Sequence, residues 1–177
     1  MTESPFTWRK IEDHPPIEID VYRIDRRLWR IFKPHHYLSG DLHVASHCFG
    51  AWIGDDLVAF TSYLNFPHPH TRNIRMGHRL VVLPDYQGFG IGGRLDDWLG
   101  QHLYDQGLRY RNVVSHPAMI RYYSKSPRWA LVRRPEKVVR NGATSEASLK
   151  ARGLNRRRLS TYSFEYRPPR SMDGGGQ

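Results

Sequence analysis

Three short segments of the 177-residue chain place reactive groups or bare backbone at spacings that suit chemistry. The first is Lys33-Pro34-His35-His36-Tyr37-Leu38-Ser39-Gly40, with two imidazoles and a phenol in succession. Two histidines and a tyrosine together are costly to bury without polar work, and neutral imidazoles accept a proton near pH 7. The second is Gln87-Gly88-Phe89-Gly90-Ile91-Gly92-Gly93, between an apolar run and an amphipathic stretch. Glycines there let backbone amides close on an anion, and a following helix N-terminus adds partial positive charge. A tight strand-to-helix packing turn is the other reading of the same glycines. The third is Ile120-Arg121-Tyr122-Tyr123-Ser124-Lys125. On a helix its two tyrosines point about 100° apart, so one faces a cleft and the other packs. A metal is a further candidate, with His35, His36, His68 and His70 as ligands, although no carboxylate triad is spaced to complete the set. Cys48, the one cysteine, lies in an apolar run and reads as core; alone it excludes an internal disulfide and a multi-cysteine zinc site.

The elements that must hold these segments can be read from periodicity. Residues 17–24 alternate as a strand, and Asp25 can cap a helix over 26–32 that Pro34 bounds. Residues 47–53 and 57–64 form two apolar runs joined by Gly54-Asp55-Asp56, a hairpin signal. Residues 66–70 contain two prolines and read as a loop. Residues 79–83 predict a buried strand that ends at Pro84 and runs into the glycine turn. A helix with Leu95, Trp98, Leu99 and Leu103 on one stripe follows and ends near Gly107. Strands are expected over 110–114, 129–132 and 159–166, with short helices over 118–124 and 144–152. The expectation is a mixed α/β domain over 15–166, after a polar lead-in (1–14) and before a disordered tail (167–177).

Charge is unevenly placed. The chain carries 27 Lys and Arg against 17 Asp and Glu, a net of +10. Residues 121–170 alone hold 14 basic and 3 acidic side chains, so the remainder is close to neutral. Arg133, Arg134, Lys137, Arg156, Arg157 and Arg158 are the densest clusters and the expected nucleic-acid contacts. One cysteine, no apolar run near membrane length and no basic-then-apolar N-terminus point to a reduced, cytoplasmic chain without a membrane partner.

Neither the Walker pattern nor the dinucleotide fingerprint fits the glycine turn. Instead, Leu80-Val81-Val82-Leu83-Pro84-Asp85-Tyr86-Gln87-Gly88-Phe89-Gly90-Ile91-Gly92 resembles the acyl-CoA motif of the GNAT acyltransferase superfamily. Gln87, Gly90 and Gly92 fill its defining positions. The resemblance spans Val44 to Trp129 and implies a mostly antiparallel twisted sheet with a splayed central strand pair and flanking helices. It implies acetyl-CoA or another acyl-CoA as cofactor. Gln87, Gly88, Phe89, Gly90, Ile91 and Gly92 would hold the diphosphate, and Val81 and Val82 would supply amides to the pantetheine arm and the oxyanion. Tyr123 would be the acid that protonates the thiolate, with His116 where an asparagine often lies. The chain departs from the pattern at Ser126-Pro127-Arg128-Trp129, where Gly-Phe is usual.

The His-His-Tyr segment resembles that of the phage Mom proteins, DNA-modifying members of the superfamily. That resemblance implies His36 and Tyr37 in the active site, and the exocyclic amine of adenine in DNA as acceptor. Trp52, Tyr63, Phe66 and Tyr86 are available to stack on a base. Three other readings share the sequence: acetylation of the amino group on charged tRNA, acetylation of a small amine or peptide, and a non-catalytic DNA-binding module. A second copy of the chain is a further candidate partner.

Overall fold

Alternating apolar residues resolve into one seven-stranded sheet in a computed structural model that describes residues 17–36, 41–67, 70–134 and 161–168. Strand β1 (Asp20–Arg23) is shorter than the alternation suggested. Asp25 then accepts the Arg27 N–H at 2.7 Å and starts a helical stretch whose α-helical part is α1 (Trp29–Phe32). Strands β2 (His47–Ile53) and β3 (Asp56–Asn65) form the expected hairpin, with Gly54 at φ 59° in its turn. Strand β4 (Ile74–Val82) begins five residues before the apolar run that announced it. Helix α2 (Ile91–Tyr104), strand β5 (Arg109–Val114), helix α3 (Pro117–Lys125) and strands β6 (Trp129–Arg133) and β7 (Tyr162–Tyr166) complete the order. The lead-in, the helix predicted over 144–152 and residues 169–177 of the tail lie outside the described residues.

The sheet runs β1-β2-β3-β4-β5-β7-β6, antiparallel throughout except between β4 and β5. On one face Trp29 and Phe32 of α1 cover Cys48, Phe60 and Val81. Cys48 is 2 % exposed, and burial pushes its thiol up to about 11, as a core role requires. On the other face Leu95, Leu99 and Leu103 bring α2 onto the sheet among Tyr110, Tyr123, Trp129, Phe164 and Tyr166. Glu165 of β7 accepts from Arg109 (2.9 Å) and Arg111 of β5, fastening the two strands.

β4 and β5 are paired only from Ile74 to Met76 against Arg109 to Arg111, and then part. Two devices separate them. In β4, Tyr63 faces Gly77 and Ser62 faces Arg79, so His78 is an extra residue and the strand bends there. At the next register position the Asn112 side chain lies over Gly77, where an added Cβ would stand 1.6 Å from Oδ1. Only glycine leaves that space.

Glycine works similarly on α2. A Cβ on Gly100 would meet the Tyr166 ring at 2.4 Å. Overpacking by one methyl costs roughly 1–3 kcal/mol, against about 1 kcal/mol gained in helix propensity. Gly100→Ala is therefore expected to lower the urea midpoint with an unchanged slope; a raised midpoint would contradict the Tyr166 packing.

Candidate active site

The parting strands open a cleft of about 800 Å³. One wall is β4 from Gly77 to Val82, and the facing wall is β5 from Asn112 to Val114, continued by His116 and Met119. Leu83 N–H donates to Val58 O on β3. Alternation along the strand therefore turns the Val81 amide toward β3 and the Val82 and Leu80 amides toward the cleft. Val81, expected to offer its amide, contributes a buried side chain instead.

At one end of the cleft stands the glycine turn. Gly88 (φ 89°) and Gly90 (φ 78°) are left-handed, and open space lies where a Cβ would be. Gln87 Nε2 donates to Val82 O at 2.9 Å and ties the turn to the end of β4. Gly90 caps α2 without a side chain, and no acidic residue occupies the first turn. The orphan amides of that turn and the helix dipole are thus left for an outside anion. Gly92, Ile91 and Gln87 line the cleft, whereas Phe89 is 65 % exposed and does not.

The floor is polar. Asp96 of α2 is 1 % exposed and accepts from Asn112 Nδ2 (2.8 Å), Tyr110 Oη (3.2 Å), Thr61 Oγ1 (3.5 Å) and Tyr123 Oη. Burial raises its carboxyl to about 6, although these donors pull the other way. The Tyr123 ring packs against Trp129 and Phe164, and its hydroxyl reaches the floor. Burial and then Asp96 hold that hydroxyl well above the ordinary phenol range. Tyr122, its neighbour, lies over Gly93 and donates to Asp97 at 2.8 Å; Asp97 also accepts from Trp129 Nε1 at 2.6 Å. Both tyrosines line the cleft.

The opposite end is a histidine-rich mouth of His35, His36 and His78 beside Arg79. His78 Nε2 accepts the His43 N–H at 3.2 Å. Burial, then Arg79, His43 and His36, lower its pKa to about 4. With Nε2 accepting, the ring proton is assigned to Nδ1, so neutral His78 is a donor rather than a base. His36 stacks edge-on against Trp29, with ring centroids 5.6 Å apart.

Of the residues expected from sequence, the fold gathers His36, Tyr123, Val81, Val82, Gln87, Gly88, Gly90, Ile91, Gly92 and His116 around one cavity. Tyr37, His68, Lys137, Arg156, Arg157 and Arg158 lie outside the described residues. Arg133 and Arg134 stand at the end of β6, apart from the cleft lining. His70 does not line it either, and among the described residues no three His, Cys, Asp or Glu are grouped to hold a metal ion. Tyr63, expected to stack on a base, is 9 % exposed and stacks instead on His47 at 4.6 Å. The sequence reading missed Asp96, Asn112, Gly77 and His78. Asp96 carried a signal: it falls on the apolar stripe with Leu99 and Leu103, where a solvated carboxylate has no place.

The family model described as Acetyltransferase (GNAT) family matches residues 8–126, more than half of the chain. The chain belongs to the GNAT acetyltransferase family. Solved structures agree on the fold. A Bacillus subtilis acetyltransferase in complex with CoA aligns at 13 % identity over 86 % of this chain and all of its own, with TM-score 0.60. The ribosomal-protein-S18-alanine N-acetyltransferase of Escherichia coli aligns at 14 % over 90 % of this chain and 99 % of its own, with TM-score 0.56. The Vibrio cholerae spermidine/spermine N-acetyltransferase SpeG aligns at 11 % over 84 % and 93 %, with TM-score 0.57. No curated protein sequence matches the chain. Among the described residues no helix is long and apolar enough to cross a membrane.

Asp96 links the site to stability. Its carboxyl pKa in the fold lies above the unfolded value, so the native chain binds the extra proton between about pH 4 and 6 and stability falls as pH rises through that window. Relative to Asp96→Asn, wild type is expected to lose roughly 2 kcal/mol of unfolding free energy between pH 4 and pH 7. Parallel denaturation profiles for the two would show the carboxyl already ionised at pH 4.

Proposed function

We propose that this chain transfers an acyl group from an acyl-CoA to an amine carried by nucleic acid, the exocyclic amine of adenine in DNA being the foremost acceptor. The glycine turn supports the cofactor. Its left-handed glycines, open cradle and unsatisfied first-turn amides suit a diphosphate, and the CoA-bound Bacillus acetyltransferase shares the fold. Backbone from Gln87 to Gly92 would hold that group, with the Val82 N–H available to the pantetheine arm while the Val82 C=O accepts from Gln87 Nε2. Bound acyl-CoA would supply the activated thioester.

The chain's own residues do the rest. The cleft-facing amides of Val82 and Leu80 are the donors for charge that develops on the carbonyl oxygen. Tyr123 gives a proton at the sulfur, and His36, which lines the mouth, takes one from the acceptor; His78 already accepts the His43 N–H through Nε2. An adenine amine is a weak nucleophile with a delocalised lone pair. A base flipped into a mouth with an imidazole at hand is the arrangement it needs.

The observation that carries the acceptor class is the scarcity of carboxylates along the cleft. Asp96, buried at the floor, is the only carboxylate among the described lining residues, while Arg79 and three histidines line the opening. A polyamine would require exposed carboxylates there, and a net charge of +10 would repel it. Topology adds weight. β6 ends at Arg133 opposite Ser163, and β7 starts at Tyr162 opposite Val114, which lines the cleft. The connection between them therefore leaves and returns at the cleft end of the sheet. It carries Lys137, Arg140, Lys150, Arg152, Arg156, Arg157 and Arg158 against Glu136 and Glu146. A segment with seven cations and two carboxylates in its sequence suits a polyanionic acceptor.

Mass spectrometry of nucleosides from cells expressing the chain should reveal an acylated deoxyadenosine, falling roughly 100-fold or more with His36→Ala. An adduct on the aminoacyl group of tRNA would move the acceptor to RNA, and unmodified DNA and RNA would overturn the proposal. Gly90→Val, forced to φ 78° at a cost of roughly 1–2 kcal/mol, should weaken coenzyme A binding by tenfold or more in calorimetry. Unchanged affinity would make the turn purely structural.

A further inference from the structure

The carboxyl at the cleft floor has no part in the steps above, yet it holds the tyrosine that does. Around Asp96 stand Thr61 from β3, Tyr110 and Asn112 from β5, Tyr123 from α3, and on α2 itself the like charge of Asp97. The four hydrogen-bond donors are neutral. If Tyr123 alone lost its proton, a tyrosinate would face an ionised carboxylate in a buried site. Two like charges in contact there cannot both persist at modest cost. Tyr123 therefore keeps its proton unless the neighbouring carboxyl brings another.

We propose that Asp96 and Tyr123 work as one acid, with Asp96 storing the proton that Tyr123 hands to the departing sulfur. The inference rests on the acyl-CoA reading of the cleft. Protonation of Asp96 reverses their hydrogen bond: the carboxyl now donates to the Tyr123 oxygen, and the hydroxyl hydrogen is free to turn into the cleft. As the tetrahedral adduct collapses, the C–S bond breaks and its electron pair leaves on sulfur. The Tyr123 proton moves to that sulfur and forms S–H. The Asp96 proton moves to the Tyr123 oxygen, which leaves a carboxylate. The proton lost by the acceptor amine returns to Asp96 through solvent, so turnover consumes none. Asp96 never meets the sulfur and is a positioning residue that acts through Tyr123. With its carboxyl near 6, about a tenth of free molecules are loaded at pH 7, and a ligand that displaces water from the cleft raises that share.

Loading is measurable without an acceptor. Calorimetry of coenzyme A binding near pH 6.5, in two buffers of different ionisation heat, should show wild type taking up about half a proton more than Asp96→Asn if the carboxyl rises by a further pH unit or so. The variant serves as the control for the cofactor's own phosphates. Equal uptake by both overturns this proposal and leaves the acyl-CoA reading standing; absence of coenzyme A binding to wild type overturns both. Should Asp96→Asn not fold, the carbon-13 resonance of Asp96 Cγ in the wild-type chain carries the test. It should titrate between pH 5 and 7, with a midpoint that rises when coenzyme A is added. A carboxyl ionised at pH 5 with or without coenzyme A overturns the assignment.

Discussion

The parting of β4 from β5 is the constraint from which the site follows. A paired sheet would satisfy its amides internally and leave no edge in the middle of the fold. Here the extra residue His78 and the side chain of Asn112 over Gly77 stop the pairing after Met76. The freed edge of β4 then faces a cavity and not solvent. Among the described residues the candidate site lies along that edge: the glycine turn at its end, the histidine mouth at its bulge and the carboxyl floor beneath.

Opening a sheet exposes polar backbone and removes packing, and the fold compensates on the α2 face. Two adjacent carboxylates, Asp96 and Asp97, are sunk into an aromatic core that would reject them unpartnered. Between them they accept from Tyr110, Tyr122, Tyr123, Trp129, Asn112 and Thr61. Those donors come from β3, β5, α3 and the start of β6, so the same bonds that make the burial tolerable also fix the walls of the cleft relative to α2. Gly93 lets the Tyr122 ring approach closely enough for its bond to Asp97.

Much of this was legible in the sequence, because it rests on local rules. The hairpin at Gly54, the glycine turn before an amphipathic helix, and α3 with its paired tyrosines all follow from residue types at near spacing. The first half of β4 was not legible. Ile74-Arg75-Met76-Gly77-His78 has the glycine and histidine that the bulge requires, and these erase the alternation that marks a strand. Asp96 and Asn112 were hidden for the opposite reason: their partners lie 11 to 35 residues away, and only tertiary packing turns two ordinary polar residues into a network. Tyr63 was misjudged because aromatic content says nothing about which face of a strand is covered.

One consequence follows from the anion turn and Asp96 sharing a helix. Five residues separate Ile91 from Asp96, about 7.5 Å of rigid rise, and no flexible joint intervenes. The molecule thus carries a fixed gauge for the length of whatever carrier spans cradle and floor. Side-chain swaps can alter what the two ends prefer, but inserting a single residue between them would swing the carboxyl about 100° off the cleft and disable the gauge altogether.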